Sequence, residues 1–379
     1  MKLFTNSLTG TFVRRPNRFV VEAETRKGLI SAHCPNPGRM LELLLPDTRL
    51  ILESSSNLNR KYPYTLVAAY YKNKVIPLHS SRVNQAAEQL FLPHFFPEAT
   101  CVSREYTAGT SRFDFYIEEK GKRHLIEVKG CTLVHNGVAM FPDAPTLRGS
   151  RHIHELLQLN REGFQSHLLI VIMHGDANLF IPDIHTDPRF ALAFAEAEKE
   201  VSMKAVSLEA GSDGTALPVS FEIPVDTRPV ELVRKNTGIY LIIITFLKRK
   251  SVSVGSLGTI DFAPGFYVYT GSAKSILAGR VGRHVRKRKT KRWHIDYLVA
   301  EADGVQALPV YTGHDLECPA ALGVAELAEK PIPGFGCSDC RCESHLHYFK
   351  NRPFHSPDFN DFILTLRHST AFSASSIQR

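Results

Sequence analysis

The stretch Ser111–Gly130, SRFDFYIEEKGKRHLIEVKG, decides the fold of the region around it. Apolar and polar residues alternate on both sides of Lys120-Gly121, which is the pattern of two half-buried strands joined by a tight turn. A hairpin folded at that dipeptide places Asp114 opposite Glu127. Its polar face then carries Asp114, Glu127 and Lys129, and its apolar face carries Phe113, Phe115, Ile117, Ile126 and Val128.

The opposed acids of this hairpin need compensation, because like charges directly opposite one another destabilise a strand pair. A divalent cation between Asp114 and Glu127 would convert the repulsion into ligation, since Mg²⁺ prefers carboxylate oxygens and keeps several waters. Lys129 lies on the same face, where it could stabilise a developing phosphorane charge or orient a water. The alternative is an ordinary solvated hairpin face in which Glu127 and Lys129 form an ion pair.

The composition is that of a globular protein with two or three domains. The chain has 379 residues, of which 43% are hydrophobic and 22% are charged, as in ordinary globular domains. It has no uncharged apolar run of about 18 residues, so we expect no membrane span. The N-terminal sequence lacks the apolar core of a signal peptide, and we expect a cytoplasmic protein. Seven cysteines in a chain of this length do not predict a disulfide framework.

The net charge of +8 is concentrated in the last third of the chain, where eight Lys and Arg residues and no acid lie between Arg280 and Arg292. Such a block repels itself unless anions offset its charge, so it favours a polyanionic partner. The alternative is a solvated basic face.

Residues 1–85 contain short β-rich runs broken by Pro, Asn and Gly, which predict a small β-barrel. Four arginines of this region could follow a phosphate backbone, namely Arg14, Arg15, Arg18 and Arg39.

After the hairpin, alternating helices and strands predict an α/β domain. A helix near Ser150–Arg161 precedes a buried strand near His167–Met173. A further helix begins at Pro188 with Asp187 as its N-cap. Residues 224–236, PVDTRPVELVRKN, are rich in Pro and charge, and a linker is predicted over residues 229–236.

Five motifs in this order, CPNPGRM, SRFDF, IEVKG, FPDAPT-RG and DPRF, are similar to the sugar fermentation stimulation protein (SfsA) family, over roughly residues 1–228. The resemblance implies an OB-like barrel followed by a domain similar to PD-(D/E)XK nucleases. It also implies a non-specific DNA-binding protein linked to the regulation of maltose metabolism. By this resemblance, Asp114 matches the nuclease-type Asp, Glu127 and Lys129 match its E-x-K, and Glu105 matches an upstream acid.

Residues 236–350 resemble a GIY-YIG-like family of unknown function through GIY at Gly238-Ile239-Tyr240, YTGSA, RVGRH, WHIDYL, LEC and GFGCSDCRC-SHL. The likeness to GIY-YIG nucleases implies that Tyr240 or Tyr269 accepts a proton from water. It also implies that Arg280 stabilises the phosphate and that Glu317 holds a divalent metal. Arg283 and His284 would assist.

The local pattern of the same region predicts a helix from about Ser275 to Lys289 and a strand over Trp293–Leu298. Cysteines cluster farther along, at Cys318, Cys337, Cys340 and Cys342. Cys337, Cys340, Cys342 and His345 are of the types that bind zinc, and we predict a zinc site there. The alternative is a glycine-rich loop with reduced cysteines beside the cleft.

The predicted fold therefore mixes α and β structure in five parts. These are an OB-like β-barrel over residues 1–85, a PD-(D/E)XK nuclease-like α/β domain over 86–228, a linker over 229–236, a GIY-YIG-like α/β domain over 237–350 and a C-terminal tail over 351–379. The last apolar stretch of that tail, FNDFILTLRHS, is a helix candidate, and its serine-rich end is expected to fray.

Three functions remain open at this point. The first is a nuclease that uses Mg²⁺ or Mn²⁺ on DNA or RNA at Asp114, Glu127 and Lys129, at the Tyr240 cleft, or at both. The second is a non-specific DNA-binding protein that regulates sugar metabolism, and the third is an adaptor whose cysteine-rich loop docks a partner. The predicted DNA contacts are Arg14, Arg15, Arg18, Arg39, Arg283, His284, Arg286, Lys287 and Arg288.

Overall fold

The structure, a computed structural model, describes residues 1–57 and 59–371. It divides into two compact units, Met1–Val230 and Glu231–Arg379. No helix within the described ranges has the length and the apolar character needed to cross a membrane.

A five-stranded barrel forms the N-terminal part of the first unit. Its strands are β1 (Ser7–Asn17), β2 (Val20–Thr25), β3 (Gly28–His33), β4 (Arg49–Ser54) and β5 (Tyr64–Tyr71). β1 lies between β2 and β4, and a parallel bridge from His33 to Thr65 joins β3 to β5. The pairing therefore closes on itself around an apolar core, as predicted for an OB-like barrel.

The barrel continues into a wide mixed sheet. The further elements of this unit are β6 (Lys74–Pro77), α1 (Ser80–Ala86), a π-helical segment (Ala87–Phe91), α2 (Leu92–Phe95), β7 (Ala99–Ala108), β8 (Ser111–Glu119), β9 (Lys122–Cys131), β10 (Val134–His135), β11 (Val138–Phe141), α3 (Leu147–Arg161), β12 (Gln165–Ile172), β13 (Leu179–Pro182), α4 (Pro188–Ala197), β14 (Ser202–Ala210) and β15 (Ala216–Ile223). The sheet order from the barrel outward is β5-β6-β14-β12-β9-β8-β7. β14, β12 and β9 run parallel, and β9, β8 and β7 run antiparallel.

One apolar cluster covers each face of this sheet. The first includes residues of α3 and α4, and the second includes residues of α1 and the π-helical segment. α4 begins as predicted, with the Asp187 side chain accepting a hydrogen bond from the Phe190 N–H at 3.0 Å. The unit is thus a mixed α and β fold with an N-terminal barrel, and the predicted fold class is confirmed.

The hairpin at Ser111–Gly130 folds at the predicted turn, but its two acids are not paired. Lys120 and Gly121 both have positive φ, 52° and 73°, as a two-residue hairpin turn of this hand requires. Phe115 pairs with Ile126, which is the predicted register, and the β8–β9 pairing ends there. Asp114 instead accepts a hydrogen bond from the Val128 N–H. The side chain thus takes a backbone donor in place of the strand partner that like charge disfavours.

The second unit contains a five-stranded sheet in the order β20-β16-β19-β22-β21 and a separate two-stranded ribbon of β17 and β18. Its elements are α5 (Val230–Lys235), β16 (Gly238–Phe246), β17 (Lys250–Ser253), β18 (Thr259–Phe262), β19 (Gly265–Ala273), α6 (Leu277–His284), α7 (His294–Glu301), β20 (Gly304–Tyr311), α8 (Glu317–Leu327), β21 (Lys330–Pro331), β22 (Leu346–Phe349) and α9 (Pro357–Ala371), with short 3₁₀ turns at Gly255–Leu257 and Pro353–His355. β16 pairs with β19 and β20, which places the two tyrosine motifs on adjacent strands.

Two local predictions in the second unit are wrong. Trp293–Leu298 is not a strand, because α7 begins at His294 and its buried Asp296 accepts hydrogen bonds from the Arg292 and Trp293 N–H groups at the helix start. The basic helix ends at His284 instead of Lys289. The Lys289 ammonium folds back onto the carbonyl groups of Arg283 and His284, which satisfies the free carbonyls of the last turn.

The ends of this unit also differ from the predicted layout. The predicted linker contains helix α5. Part of the predicted tail belongs to the unit, because α9 buries Phe359 against Phe349 and Phe354. The serine-rich end that we expected to fray lies outside the described residues.

Candidate functional site

Asp114 occupies the point at which β8 and β9 separate. Its Oδ2 accepts a hydrogen bond from the Val128 N–H at 2.7 Å, and its Oδ1 accepts one from the Asn84 amide at 2.6 Å. Burial, followed by the charge of Glu127, raises the pKa of Asp114 to about 6. The two acids therefore lie close enough to repel one another, although they are not strand partners.

Glu127 lies on β9 and is 3% exposed. Its Oε1 accepts from the Lys129 ammonium and lies 2.6 Å from His152 Nδ1. Burial favours the neutral acid, but the contacts with His152 and Lys129 outweigh burial and lower the pKa of Glu127. The second oxygen, Oε2, is buried and has no hydrogen-bond partner among the described residues. A buried carboxylate oxygen without a partner is costly.

Helix α3 delivers His152 to the acids. The helix begins where the Thr146 hydroxyl accepts the Gly149 N–H at 2.9 Å, which is a standard N-cap. The His152 ring is 2% exposed, and the Arg148 guanidinium donates to its Nε2 at 3.3 Å. His152 is therefore fixed from both sides and can act on Glu127 but not directly on a substrate.

Gly130 allows α1 to approach β9 closely. A Cβ at this position would lie 2.6 Å from a methyl group of Val83, so a side chain there would push α1 away. Asn84, the next residue of α1, then reaches Asp114. Asn84 and Lys129 also line a cleft of about 550 Å³. The cleft wall is thus in contact with both acids, because Asn84 donates to Asp114 and Lys129 donates to Glu127.

The side chains of this arrangement are of the types that could hold a hard cation. It combines two carboxylates, one oxygen of which has no partner within the described part of the chain, and a lysine at the cleft wall. Hard divalent cations favour oxygen ligands of this kind. One acid, Asp143, lines the cleft itself, and burial raises the pKa of its carboxyl group. Glu105 does not belong to the site, because it is exposed on β7 and pairs with Arg112 at 2.7 Å.

The barrel arginines are used in different ways. Arg15 donates to the backbone carbonyl groups of Arg18, Asn36, Gly38 and Arg39 and so holds the Cys34–Met40 segment in place. Arg14 pairs with Glu22 at 2.6 Å. Arg18 and Arg39 are exposed, and Arg18 lines the same cleft as Lys129. Arg15 thus has an internal structural role, whereas Arg18 and Arg39 remain accessible to an anion.

The second unit gathers its four predicted catalytic residues in one cleft of about 640 Å³, lined by Tyr240, Tyr269, Arg280 and Glu317. Glu317 Oε2 accepts from the Ser272 hydroxyl, and the Arg280 guanidinium donates to the Ser272 carbonyl at 2.9 Å. Burial raises the pKa of both tyrosines. Their hydroxyls are therefore protonated at neutral pH and are suited to donating hydrogen bonds.

His284 is not available to nucleic acid. Its ring is 1% exposed and lies 3.0 Å from the Tyr240 hydroxyl, and burial lowers its pKa to about 4. Arg283 pairs with the buried Asp296 at 3.0 Å and stacks on Trp293. The predicted DNA contacts His284 and Arg283 thus serve the interior, whereas Arg286, Lys287 and Arg288 are exposed.

A cluster of sulfur and nitrogen ligands that could hold a metal ion lies beside this cleft. It consists of Cys318, Cys340, Cys342 and His345, whose ligand atoms all lie within 4.8 Å of one another. The predicted ligand Cys337 is outside it, because its thiol points to the Glu343 carbonyl at 3.5 Å. Cys318 takes its place from the first turn of α8.

The residues missed at the first site are Asn84, Asp143 and His152. Asn84 and His152 contact the two acids through packing, whereas Asp143 lines the adjoining cleft and accepts from the Met40 N–H. No spacing rule relates any of the three to Asp114. A signal did exist for Asp143, since it lies within the FPDAPT motif.

Comparisons with known proteins find three family matches along the chain, two in the first unit and one in the second. Residues 13–78 match the family described as the SfsA N-terminal OB domain. Residues 78–214 match the sugar fermentation stimulation protein RE domain, and residues 239–368 match the domain of unknown function DUF123.

Two curated relatives are both sugar fermentation stimulation protein homologs. The Clostridium botulinum protein is 37% identical over 230 residues, which is 59% of this chain and 100% of the relative. The Clostridium kluyveri protein is 36% identical over 213 residues, 55% of this chain and 93% of the relative. The solved structure of Pyrococcus furiosus SfsA in complex with Ca²⁺ is 27% identical with a TM-score of 0.55, and it covers 60% of this chain and 99% of that protein. The chain therefore belongs to the sugar fermentation stimulation protein family, with a DUF123 domain in its C-terminal part.

Proposed function

We propose that the first unit binds DNA without sequence preference and hydrolyses phosphodiester bonds with the help of a divalent cation at Asp114 and Glu127. The observation that supports this proposal most strongly is the buried Glu127 Oε2, which lacks a partner among the described residues and lies in the field of Asp114. Two such acids in a folded core are explained by a ligand that neutralises them.

The donor set fits Mg²⁺, Mn²⁺ or Ca²⁺, since Asp114 and Glu127 offer carboxylate oxygens only. When bound, such a cation would act as a Lewis acid towards a phosphodiester group. The related Pyrococcus furiosus protein was solved with Ca²⁺, which supports the choice of a hard cation.

The surrounding side chains have separate tasks in this proposal. Lys129 lines the cleft and would place its ammonium beside the phosphate and the attacking water. Asn84 holds Asp114 in one orientation, and His152 holds Glu127. Since the pKa of Asp114 is about 6, this carboxyl group is mostly ionised at neutral pH and can accept the cation.

A long polyanion is the substrate that the charge of the chain favours. The net charge is +8, and the exposed Arg18, Arg39, Arg286, Lys287 and Arg288 offer contacts to phosphate groups. Phosphate contacts carry no sequence information, which is why we propose DNA binding without sequence preference. Through such binding the protein would influence sugar metabolism, for which its relatives are named.

The second unit supports a second candidate function, cleavage or binding of phosphodiesters at the Tyr240 cleft. The convergence of Tyr240, Tyr269, Arg280 and Glu317 in one cavity favours it. The raised pKa values of the tyrosines argue that these hydroxyls orient groups by donating hydrogen bonds and do not act as strong bases.

A cleavage assay with matched variants tests the proposal. The full chain is incubated with Mg²⁺, Mn²⁺ or Ca²⁺ and with labelled single-stranded, duplex and branched DNA and RNA. Asp114→Asn and Glu127→Gln should each lower cleavage by about 1,000-fold, because the cation contributes several kcal/mol to the transition state. Arg280→Ala tests the second cleft, and Glu105→Gln is the control for an acid outside both sites.

The outcomes distinguish cleavage by the first unit, cleavage by the second unit, and DNA binding without cleavage. Cleavage that survives Asp114→Asn and Glu127→Gln but not Arg280→Ala would move the activity to the second unit. DNA binding without cleavage in any of the three cations would leave a binding protein whose first site holds a cation without turnover.

A further inference from the structure

We propose that Cys318, Cys340, Cys342 and His345 bind one zinc ion, and that this ion positions Glu317 through His345. The proposal concerns the second unit and does not depend on the function proposed for the first.

The distances within the cluster are those of a tetrahedral zinc site. Zn–S and Zn–N bonds of about 2.3 Å and 2.0 Å require about 3.8 Å between two sulfurs and about 3.6 Å between a sulfur and a nitrogen. His345 Nε2 lies 3.4 Å from Cys340 Sγ and 3.9 Å from Cys318 Sγ. All four ligand atoms lie within 4.8 Å of one another. Small shifts of the side chains would therefore complete the tetrahedron.

The choice of zinc follows from the ligand types. Three thiolates and one imidazole form a soft set, which favours zinc over the hard cations proposed for the first unit. Four protein ligands leave no open position, so the site is structural. All seven cysteines are free thiols in this structure, so none of these ligands is consumed by a disulfide.

The ion would join two elements that are distant in sequence. Cys318 lies at the start of α8 (Glu317–Leu327), whereas Cys340, Cys342 and His345 belong to the loop before β22 (Leu346–Phe349). His345 is anchored to the sheet, since its carbonyl accepts the Thr270 N–H at 2.9 Å. A bound zinc would thus hold the cysteine loop and the start of α8 against β19.

His345 connects the metal to the cleft. Its Nε2 faces the sulfurs, and its Nδ1 lies 3.3 Å from Glu317 Oε1. A carboxylate beside the second nitrogen of a metal-bound histidine fixes the ring and its tautomer. The same contact fixes the carboxylate, whose other oxygen accepts from Ser272. Zinc would therefore make Glu317 a rigid part of the cleft wall, and we assign His345 the role of a positioning residue.

Metal analysis of the purified full chain tests the ligand set. The protein is prepared with a reductant, washed free of loose metal, and assayed for zinc and iron by mass spectrometry. We expect about one zinc per chain, retained by Cys337→Ser and lost in Cys318→Ser, Cys340→Ser and Cys342→Ser. Cys337 is the matched control because it lies in the same loop with similar exposure.

A second measurement covers the case in which a ligand variant fails to fold. Cobalt(II) replaces zinc in the unaltered chain, and its absorption spectrum reports the ligands. Three thiolates in a tetrahedral set should give strong sulfur-to-cobalt charge-transfer bands together with intense visible bands. Weak visible bands alone, iron in place of zinc, or zinc retained after Cys318→Ser but lost after Cys337→Ser would each overturn the proposal.

The link to Glu317 has its own test. The Glu317→Gln variant should still bind zinc, but its affinity for zinc should be about 10- to 100-fold lower, as is typical when the partner of a ligating histidine is altered. Affinity is measured by competition with a chromophoric chelator. Glu326→Gln, on the same helix but outside the cluster, is the control. Unchanged affinity in Glu317→Gln would show that the carboxylate does not act through His345.

Discussion

The two units bury acids in opposite ways. In the first unit, one oxygen of the buried Glu127 has no hydrogen-bond partner among the described residues. Burial, followed by the charge of Glu127, raises the pKa of the half-buried Asp114 to about 6. In the second unit, Asp296 is completely buried but accepts from Arg283, pairs with Lys289 at 3.0 Å and takes two backbone N–H groups, and its pKa is lowered. A buried charge with a full set of partners belongs to the architecture, whereas a buried charge with too few partners indicates a site for a ligand.

Removal of the compensated acid should have the largest effect on stability. Asp296→Ala removes the carboxylate that pairs with Arg283 and Lys289, and breaking a buried pair costs about 3 to 5 kcal/mol. The loss in the free energy of unfolding is measured by urea denaturation, monitored through the fluorescence of Trp293. This is the single tryptophan of the chain, and it stacks on Arg283. The exposed Asp261 provides the control, Asp261→Ala. A loss below about 1 kcal/mol would remove the contrast between the two units.

Asp114, whose two hydrogen bonds do not offset burial and the charge of Glu127, should behave in the reverse manner. Asp114→Asn removes the repulsion with Glu127 and should stabilise the cation-free protein at pH 7.5 by about 1 to 3 kcal/mol, since one pKa unit corresponds to about 1.4 kcal/mol. Urea unfolding followed by circular dichroism measures the gain. Asp176→Asn is the control, because Lys74 lowers the pKa of that exposed acid, and its loss should cost at most about 1 kcal/mol. Destabilisation by Asp114→Asn would mean that its hydrogen bonds outweigh the repulsion.

The pH dependence gives the sign of the same effect. The pKa of Asp114 is about 6 in the folded chain against 3.8 for an ordinary Asp, so the folded state binds this proton more tightly than the unfolded state. The contribution of Asp114 is therefore most favourable below pH 4 and is lost as the pH rises to about 6. The gain in the free energy of unfolding of Asp114→Asn over the unaltered chain should therefore increase as the pH rises from about 4 to about 6. Glu42, whose pKa is raised to about 7 by burial, is present in both proteins and cancels.

The smallest effect concerns the exposed charges. Simultaneous replacement of Arg286, Lys287 and Arg288 by Ala should weaken DNA binding equally for all sequences. The slope of affinity against salt should fall by about 1 for each lost phosphate contact. The slope is measured by DNA-binding titrations at several salt concentrations. Arg14→Ala is the control, because Arg14 is paired with Glu22. An unchanged slope would assign the DNA contacts to the first unit.

Local patterns were reliable where neighbouring residues decide the structure. The turn at Lys120-Gly121, the register of Phe115 with Ile126 and the N-cap at Asp187 all follow from residues within a few positions of one another. The prediction of a strand over Trp293–Leu298 was wrong because the local pattern of this segment does not decide its structure. Its short apolar run suits a strand or a helix equally. The helix forms because Asp296 accepts from the Arg292 and Trp293 N–H groups at the helix start, and Arg283 and Lys289 hold that carboxylate in place.

The sequence by itself determined the family, the barrel followed by a mixed sheet, and the residue types of both candidate sites. Only the tertiary structure decided which residues meet. Asn84 and His152 reach the acids because α1 and α3 pack on the two faces of one sheet, and Cys318 replaces Cys337 because α8 begins beside the cysteine loop. Spacing along the chain defines contacts within a helix or a strand pair, whereas a site between elements depends on packing that no local pattern contains.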